Sequence, residues 1–115
     1  MPWELDSDRP IYAQIVDRLK HEIVSGFYPP GSRLPSARDL AAQASVNPNT
    51  MQKAFTELER TGLIVTRRTS GRTVTEDTAL IEQVRSELAE LQISQFLTRM
   101  QHLGYQKDDS IRLLL

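Results

Sequence analysis

The sequence predicts a mostly α-helical fold that carries one small β-hairpin. Three observations predict it. Apolar residues recur at helical spacing in three successive segments up to Gly62; two β-prone runs then flank a polar tip that holds a glycine; and from Thr78 to Leu103 the chain has neither glycine nor proline. A chain of 115 residues is about one domain's worth. Its 39% hydrophobic and 25% charged residues are ordinary for a globular protein, which excludes global disorder.

The segment from Pro10 to Ser25 places Ile11, Tyr12, Ile15, Val16, Leu19 and Ile23 on one face, with Pro10 suited to the first turn and Ser7 or Asp8 available as the cap. Gly26 stops it, and Phe27-Tyr28-Pro29-Pro30-Gly31 is a rigid loop. Ser36, with Asp39 three residues on, resembles a capping box opening a short second helix whose small buried face is Leu40, Ala41 and Ala44. A tight Ser45-Val46 turn leads to Asn47 as cap and Pro48 at the first position of a third helix, which runs to Arg60 and ends at Gly62. Its buried stripe is Met51, Ala54, Phe55 and Leu58.

The β-prone runs are Leu63–Thr66 and Thr73–Thr75, with Arg67–Arg72 as the hairpin tip, and Glu76-Asp77 forms an acidic hinge. The long helix that follows carries a heptad-like seam at Ile81, Val84, Leu88 and Leu91, continued less regularly through Ile93, Leu97, Met100 and Leu103. Gly104-Tyr105 breaks it before a short closing helix over Asp108–Leu115. A chain this small has no segment left to cover that seam, so a second copy is expected to, with Ile81, Val84, Leu88, Leu91, Leu97 and Met100 at the interface.

Net charge is −1, so no bulk basicity announces a polyanionic partner. The charge is local. Residues 33–75 hold seven basic side chains (Arg33, Arg38, Lys53, Arg60, Arg67, Arg68, Arg72) against Asp39, Glu57 and Glu59. Three helices, the second and third joined by a tight turn, then a hairpin, is the winged helix-turn-helix order. Opposite the apolar stripe of the third helix lie Asn49, Gln52, Lys53 and Thr56, side chains that offer donors and acceptors to base edges. Asn47, Asn49 and Thr50 cluster at its N-terminus, where backbone N–H groups attract phosphate. Arg33, Ser36 and Arg38 sit around the start of the second helix, within expected reach of the DNA backbone. Arg67, Arg68, Gly71 and Arg72 belong to the wing.

These segments resemble a known family. Arg9-Pro10-Ile11-Tyr12-Ala13-Gln14-Ile15, the run from Pro30-Gly31-Ser32-Arg33-Leu34-Pro35-Ser36 through Ala37-Arg38-Asp39-Leu40-Ala41, and Val46-Asn47-Pro48-Asn49-Thr50 are similar to the GntR family of bacterial transcription regulators. The Asn-Pro-Asn-Thr run, the short length and the Leu103-Gly104-Tyr105 stop resemble its YtrA-like subfamily. The resemblance implies a winged helix-turn-helix DNA-binding domain over residues 9–77 and a two-helix dimerisation region over 78–115. It implies a repressor that binds a palindromic double-stranded operator as a homodimer. Many relatives place a guanine-reading arginine where this chain has Pro48, so base reading here falls to other side chains. The family's wing often reads Gly-x-Gly-x-Phe-Val; Thr69-Ser70-Gly71-Arg72-Thr73-Val74 keeps the second glycine and the valine.

Plainer readings compete at several positions. Arg33 and Arg38 suit surface ion pairs, Asn47 a helix cap, and Arg60 the negative end of the helix dipole. Asp17 and His21 lie one turn apart, but two ligands without a third favour a solvated pair over a metal. His102 has no evident partner, and Trp3 is expected to pack on the first helix or the partner chain. With no cysteine, disulfides and thiolate sites are excluded, and no catalytic triad, paired carboxylates or phosphate loop is present. The expectation is a cytoplasmic protein with no enzyme activity, cofactor, metal or membrane span, with room for a small-molecule effector of undetermined identity. The alternatives are a winged-helix protein–protein interaction module without DNA binding, and a piece of an enzyme-linked regulator.

Overall fold

The computed structural model of the chain describes residues 3–115. Helix α1 (Ile11–Val24) turns Ile15, Val16, Leu19 and Ile23 into the core. The expected cap is corrected: Pro10 is the N-cap residue and no side chain bonds there. The entry is fixed instead by the buried Gln14 amide, which accepts from Asp6 N at 2.7 Å and donates to Asp6 O at 2.7 Å and Arg9 O at 3.1 Å. A side chain inside the helix does the work because proline offers no hydrogen-bonding side chain of its own.

Helix α2 (Ala37–Ala44) begins as expected, with Ser36 Oγ accepting from Asp39 N at 3.1 Å. Ser45 then takes a left-handed conformation (φ 58°), which turns the chain sharply into α3 (Pro48–Thr61). There Asn47 Oδ1 accepts from Asn49 N at 2.8 Å and Pro48 opens the helix. Met51, Ala54, Phe55 and Leu58 are fully buried and close the three-helix core with Leu19, Ile23 and Leu40.

Strands β1 (Ile64–Arg67) and β2 (Gly71–Val74) pair antiparallel, with Ile64 opposite Val74 and Arg67 opposite Gly71. This shortens the expected tip to Arg68-Thr69-Ser70, so Arg67, Gly71 and Arg72 are strand residues. Gly71 makes the difference: its φ of 72° closes a three-residue loop that most side chains would strain. The outer edge of β2 is not bare. Residues 31–34 lie along it, with Leu34 N donating to Arg72 O and Val74 N donating to Ser32 O, both at 2.9 Å.

Asp77 caps α4 (Thr78–His102), its Oδ1 accepting from Leu80 N at 3.1 Å. Gly104 precedes α5 (Lys107–Leu114), where the Asp109 carboxylate accepts from Gln106 N at 3.1 Å. The chain divides into two compact units within α4, one ending at Val84 and the other comprising Arg85–Leu115. In the first, Ile81 is buried. In the second, Leu88 is half-buried while Leu91 and Ile93 are 52% and 59% exposed, and Ile111, Leu113 and Leu114 are exposed as well. No described helix is long and apolar enough to cross a membrane.

Candidate nucleic-acid interface

Helix α3 presents two faces. Burial of Met51, Ala54, Phe55 and Leu58 leaves Asn49, Gln52, Lys53 and Thr56 exposed and Thr50 half-exposed. Backbone donors at its start are partly used, since Thr50 N and Met51 N both donate to Asn47 O. Asn47 is engaged as the cap, and Ser36 caps α2 in the same way. Thr56 Oγ1 donates to Gln52 O at 3.0 Å, which satisfies its hydroxyl within the helix. Lys53 Nζ sits 3.9 Å from the centroid of the Tyr12 ring on α1, a cation–π contact that holds the lysine over the α1 side of the face.

The basic residues fall into two groups. Arg33, Arg38, Arg67 and Arg68 are exposed and form no ion pair among the described residues, so the surface-pairing reading of Arg33 and Arg38 finds no acid. The Arg33 guanidinium lies over the wing, about where a side chain on Gly71 would meet it, at 3.9 Å from Nε. Arg60 and Arg72 are paired. Arg60 donates to Glu57 at 2.6 Å, and that hydrogen bond holds the exposed Glu57 carboxyl below the usual carboxylate range. Arg72 Nε donates to Glu59 Oε1 at 2.6 Å, and its side chain is only 24% exposed. Two of the three acids in this segment are therefore neutralised by their own arginines, which leaves Asp39 against four unpaired arginines in the charge count.

Sequence reasoning missed Glu59, Thr66 and Tyr12, the partners that orient Arg72 and Lys53. Glu59 follows Gln52 and Phe55 at helical spacing, which was the available signal. His21 Nδ1 bonds the Asp17 backbone oxygen at 2.7 Å rather than its carboxylate, and no group of three metal-ligating side chains occurs among the described residues. Trp3 packs on α1, with the Arg18 guanidinium 4.1 Å from its ring centroid.

Comparison with known proteins agrees with this geometry. Residues 11–74 match the model of the bacterial regulatory proteins of the gntR family. The chain is 39% identical over 100 residues to the HTH-type transcriptional repressor YtrA of Bacillus subtilis, covering 85% of this chain and 76% of that one. A solved GntR family transcriptional regulator from Listeria monocytogenes superposes with a TM-score of 0.86 at 41% identity, over 96% of each chain. The DNA-binding domain of AraR, solved in complex with operator ORX1, is similar at a TM-score of 0.55 and 26% identity, over 65% of this chain and 92% of that one. The chain belongs to the GntR family of bacterial regulatory proteins, with the YtrA-like winged helix-turn-helix form, and it is a DNA-binding transcriptional regulator rather than an enzyme.

Proposed function

We propose that the protein is a homodimeric repressor that binds a palindromic operator. The observation that carries this reading is that the unit with the exposed polar face of α3 also carries four exposed arginines that no acid neutralises. In this reading Asn49, Thr50, Gln52 and Lys53 face base edges in the major groove. Arg33, Ser36, Arg38, Asn47, Arg67, Arg68 and the backbone at Gly71 face phosphates, and Arg72 steadies the wing. Residues 9–77 bind DNA and residues 78–115 form the dimer, in which the seam of Val84, Leu88, Leu91, Leu97 and Met100 is covered by its counterpart; Ile81, expected in that seam, is already buried within its own chain and drops out of it. Repression is carried over from the YtrA relative, a transcriptional repressor, and operator binding from the AraR domain, which was solved on its operator. Two-fold symmetry places half-sites about one helical turn apart, ~34–36 Å. A small-molecule effector, where one acts, has a cleft of about 430 Å³ lined by Glu90, Ile93, Leu97, Tyr105 and Lys107 in the second unit.

The test is a titration of tiled duplexes from the gene's own promoter, with operator and scrambled duplex compared at one salt concentration. Two protomers should bind each operator. Asn49→Ala should lose roughly 1–3 kcal/mol on operator and little on scrambled DNA. Equal losses on both would leave α3 contacting only the backbone, and one protomer per operator would exclude the dimer.

A further inference from the structure

Arg72 is held from three sides. Its Nε donates to Glu59 Oε1 at 2.6 Å, its guanidinium carbon lies 5.0 Å from the centroid of the buried Phe55 ring, and its Nη1 donates to Gln52 Oε1 at 3.3 Å. Glu59 is fixed in turn, because its other oxygen accepts from Thr66 Oγ1 at 2.9 Å. Arg72 thereby ties β2 to α3, and Thr66 ties β1 to the same glutamate.

The chemistry of that tie decides how Gln52 is presented. A guanidinium has donors and no acceptor, so the corner of the glutamine amide that faces it must be the carbonyl oxygen. The amide nitrogen, at the opposite corner of the same plane, is left for whatever approaches the helix. Bidentate pairing of glutamine with adenine needs both corners, the oxygen accepting from N6 and the nitrogen donating to N7. Guanine offers two acceptors on the same edge, O6 and N7. A glutamine whose oxygen is already turned to the wing meets guanine with its remaining donors and meets adenine with half of its pairing missing.

We propose that Arg72 is a positioning residue that sets the base preference of Gln52: by holding the Gln52 carbonyl toward the wing, it makes the side chain a donor that selects guanine over adenine. The proposal rests on the reading of α3 as the base-reading helix. Glu59 supports it from behind, since its charge keeps Arg72 folded onto α3 and away from a phosphate.

The experiment is selection of binding sites by the full chain from a randomised duplex pool, with the selected bases sequenced. Gln52→Ala locates the base pair that Gln52 reads, as the position where preference collapses. At that position the unaltered chain should favour guanine over adenine by about tenfold. Arg72→Ala should move that one position toward adenine and leave the others unchanged, whereas Arg72→Lys, which still faces the carbonyl with donors only, should retain guanine. Arg72→Gln can face Gln52 with either an oxygen or an N–H, so it should select guanine and adenine about equally. It also replaces Arg72→Ala if that chain does not fold. Base identity is read only from folded, DNA-bound protein, so a purely structural role for Arg72 would not change it. Guanine retained by Arg72→Ala or Arg72→Gln, or a uniform loss of affinity on all duplexes, overturns the proposal. A Gln52→Ala chain with every preference intact shows instead that Gln52 does not read bases, a failure of the underlying reading that also ends the proposal.

Discussion

Removing single arginines should subtract phosphate contacts in countable steps, and the structure says which arginines count. Arg60 is spent on Glu57 and Arg72 on Glu59, each at 2.6 Å. Arg33, Arg38, Arg67 and Arg68 are exposed with no ion pair among the described residues. Each phosphate neutralised contributes about 0.9 to the fall of log K with log salt. Four such arginines give a slope of about 3.6 per protomer and about 7 for the dimer. A rise from ~50 to ~200 mM salt then weakens binding about 3.5-fold for each contact. Arg67→Ala or Arg68→Ala removes one contact from each protomer, so the dimer's slope should fall by about 1.8. Arg60→Ala is the control: its charge already has a partner, and the exposed pair contributes little to stability. The assay is fluorescence anisotropy of a labelled duplex titrated at several salt concentrations. If Arg60→Ala lowered the slope as much as Arg67→Ala, the division into paired and unpaired arginines would be wrong. If Arg67→Ala changed which duplex is preferred while the slope held, the wing would read bases rather than phosphates.

Two further outcomes are expected. Leu88→Asp with Leu91→Asp puts two carboxylates into the proposed dimer seam, and an unpaired buried ion costs several kcal/mol; sedimentation should show a monomer, and an unchanged dimer would remove this interface. Burial first, then the Glu22 carboxylate, raises the Tyr28 phenol above the ordinary tyrosine range, against a smaller pull from Arg18. The folded chain therefore holds this proton more tightly than the unfolded chain does, so the associated stability is present below the unfolded pKa and lost as pH rises through the folded one. Urea unfolding followed from about pH 8 to 11 should show that decline, and Tyr28→Phe should flatten it; identical alkaline limbs would refute the assignment.

What the sequence made legible was local. Asn47-Pro48 and the stripe of Met51, Ala54, Phe55 and Leu58 lie within one helix, and the structure reproduces the cap, the start and every buried position. The start of α1 departs from the expected cap because its hydrogen bonds run between Gln14 and Asp6, eight residues back, a contact that no cap motif encodes. The hairpin lies where the sequence predicts it but its tip is narrower, since a three-residue loop depends on the φ of Gly71 rather than on the β-propensity of its neighbours. The pairing of Arg72 with Glu59 joins residues that only the return of the hairpin onto α3 brings together. The basic residues were recognisable from the sequence; which of them are already neutralised was not.

The same physical difference separates the two units. The winged unit buries Ile15, Leu19, Leu40, Met51, Phe55, Leu58 and Leu63 almost completely, a core that needs no second chain. From Arg85 onward no apolar side chain is buried among the described residues, although Leu91, Ile93, Leu103, Ile111, Leu113 and Leu114 are all available. Burial of apolar surface at about 25 cal/mol per Å² is the main term opposing the chain entropy lost in ordering a helix. In the proposed dimer the counterpart's seam supplies that term. The second unit's folding is there linked to association, and its order depends on protomer concentration in a way that the winged unit's does not. For a regulator whose proposed operator is two-fold symmetric, this linkage matters: the winged unit can fold alone, but only an associated tail delivers two of them to one duplex.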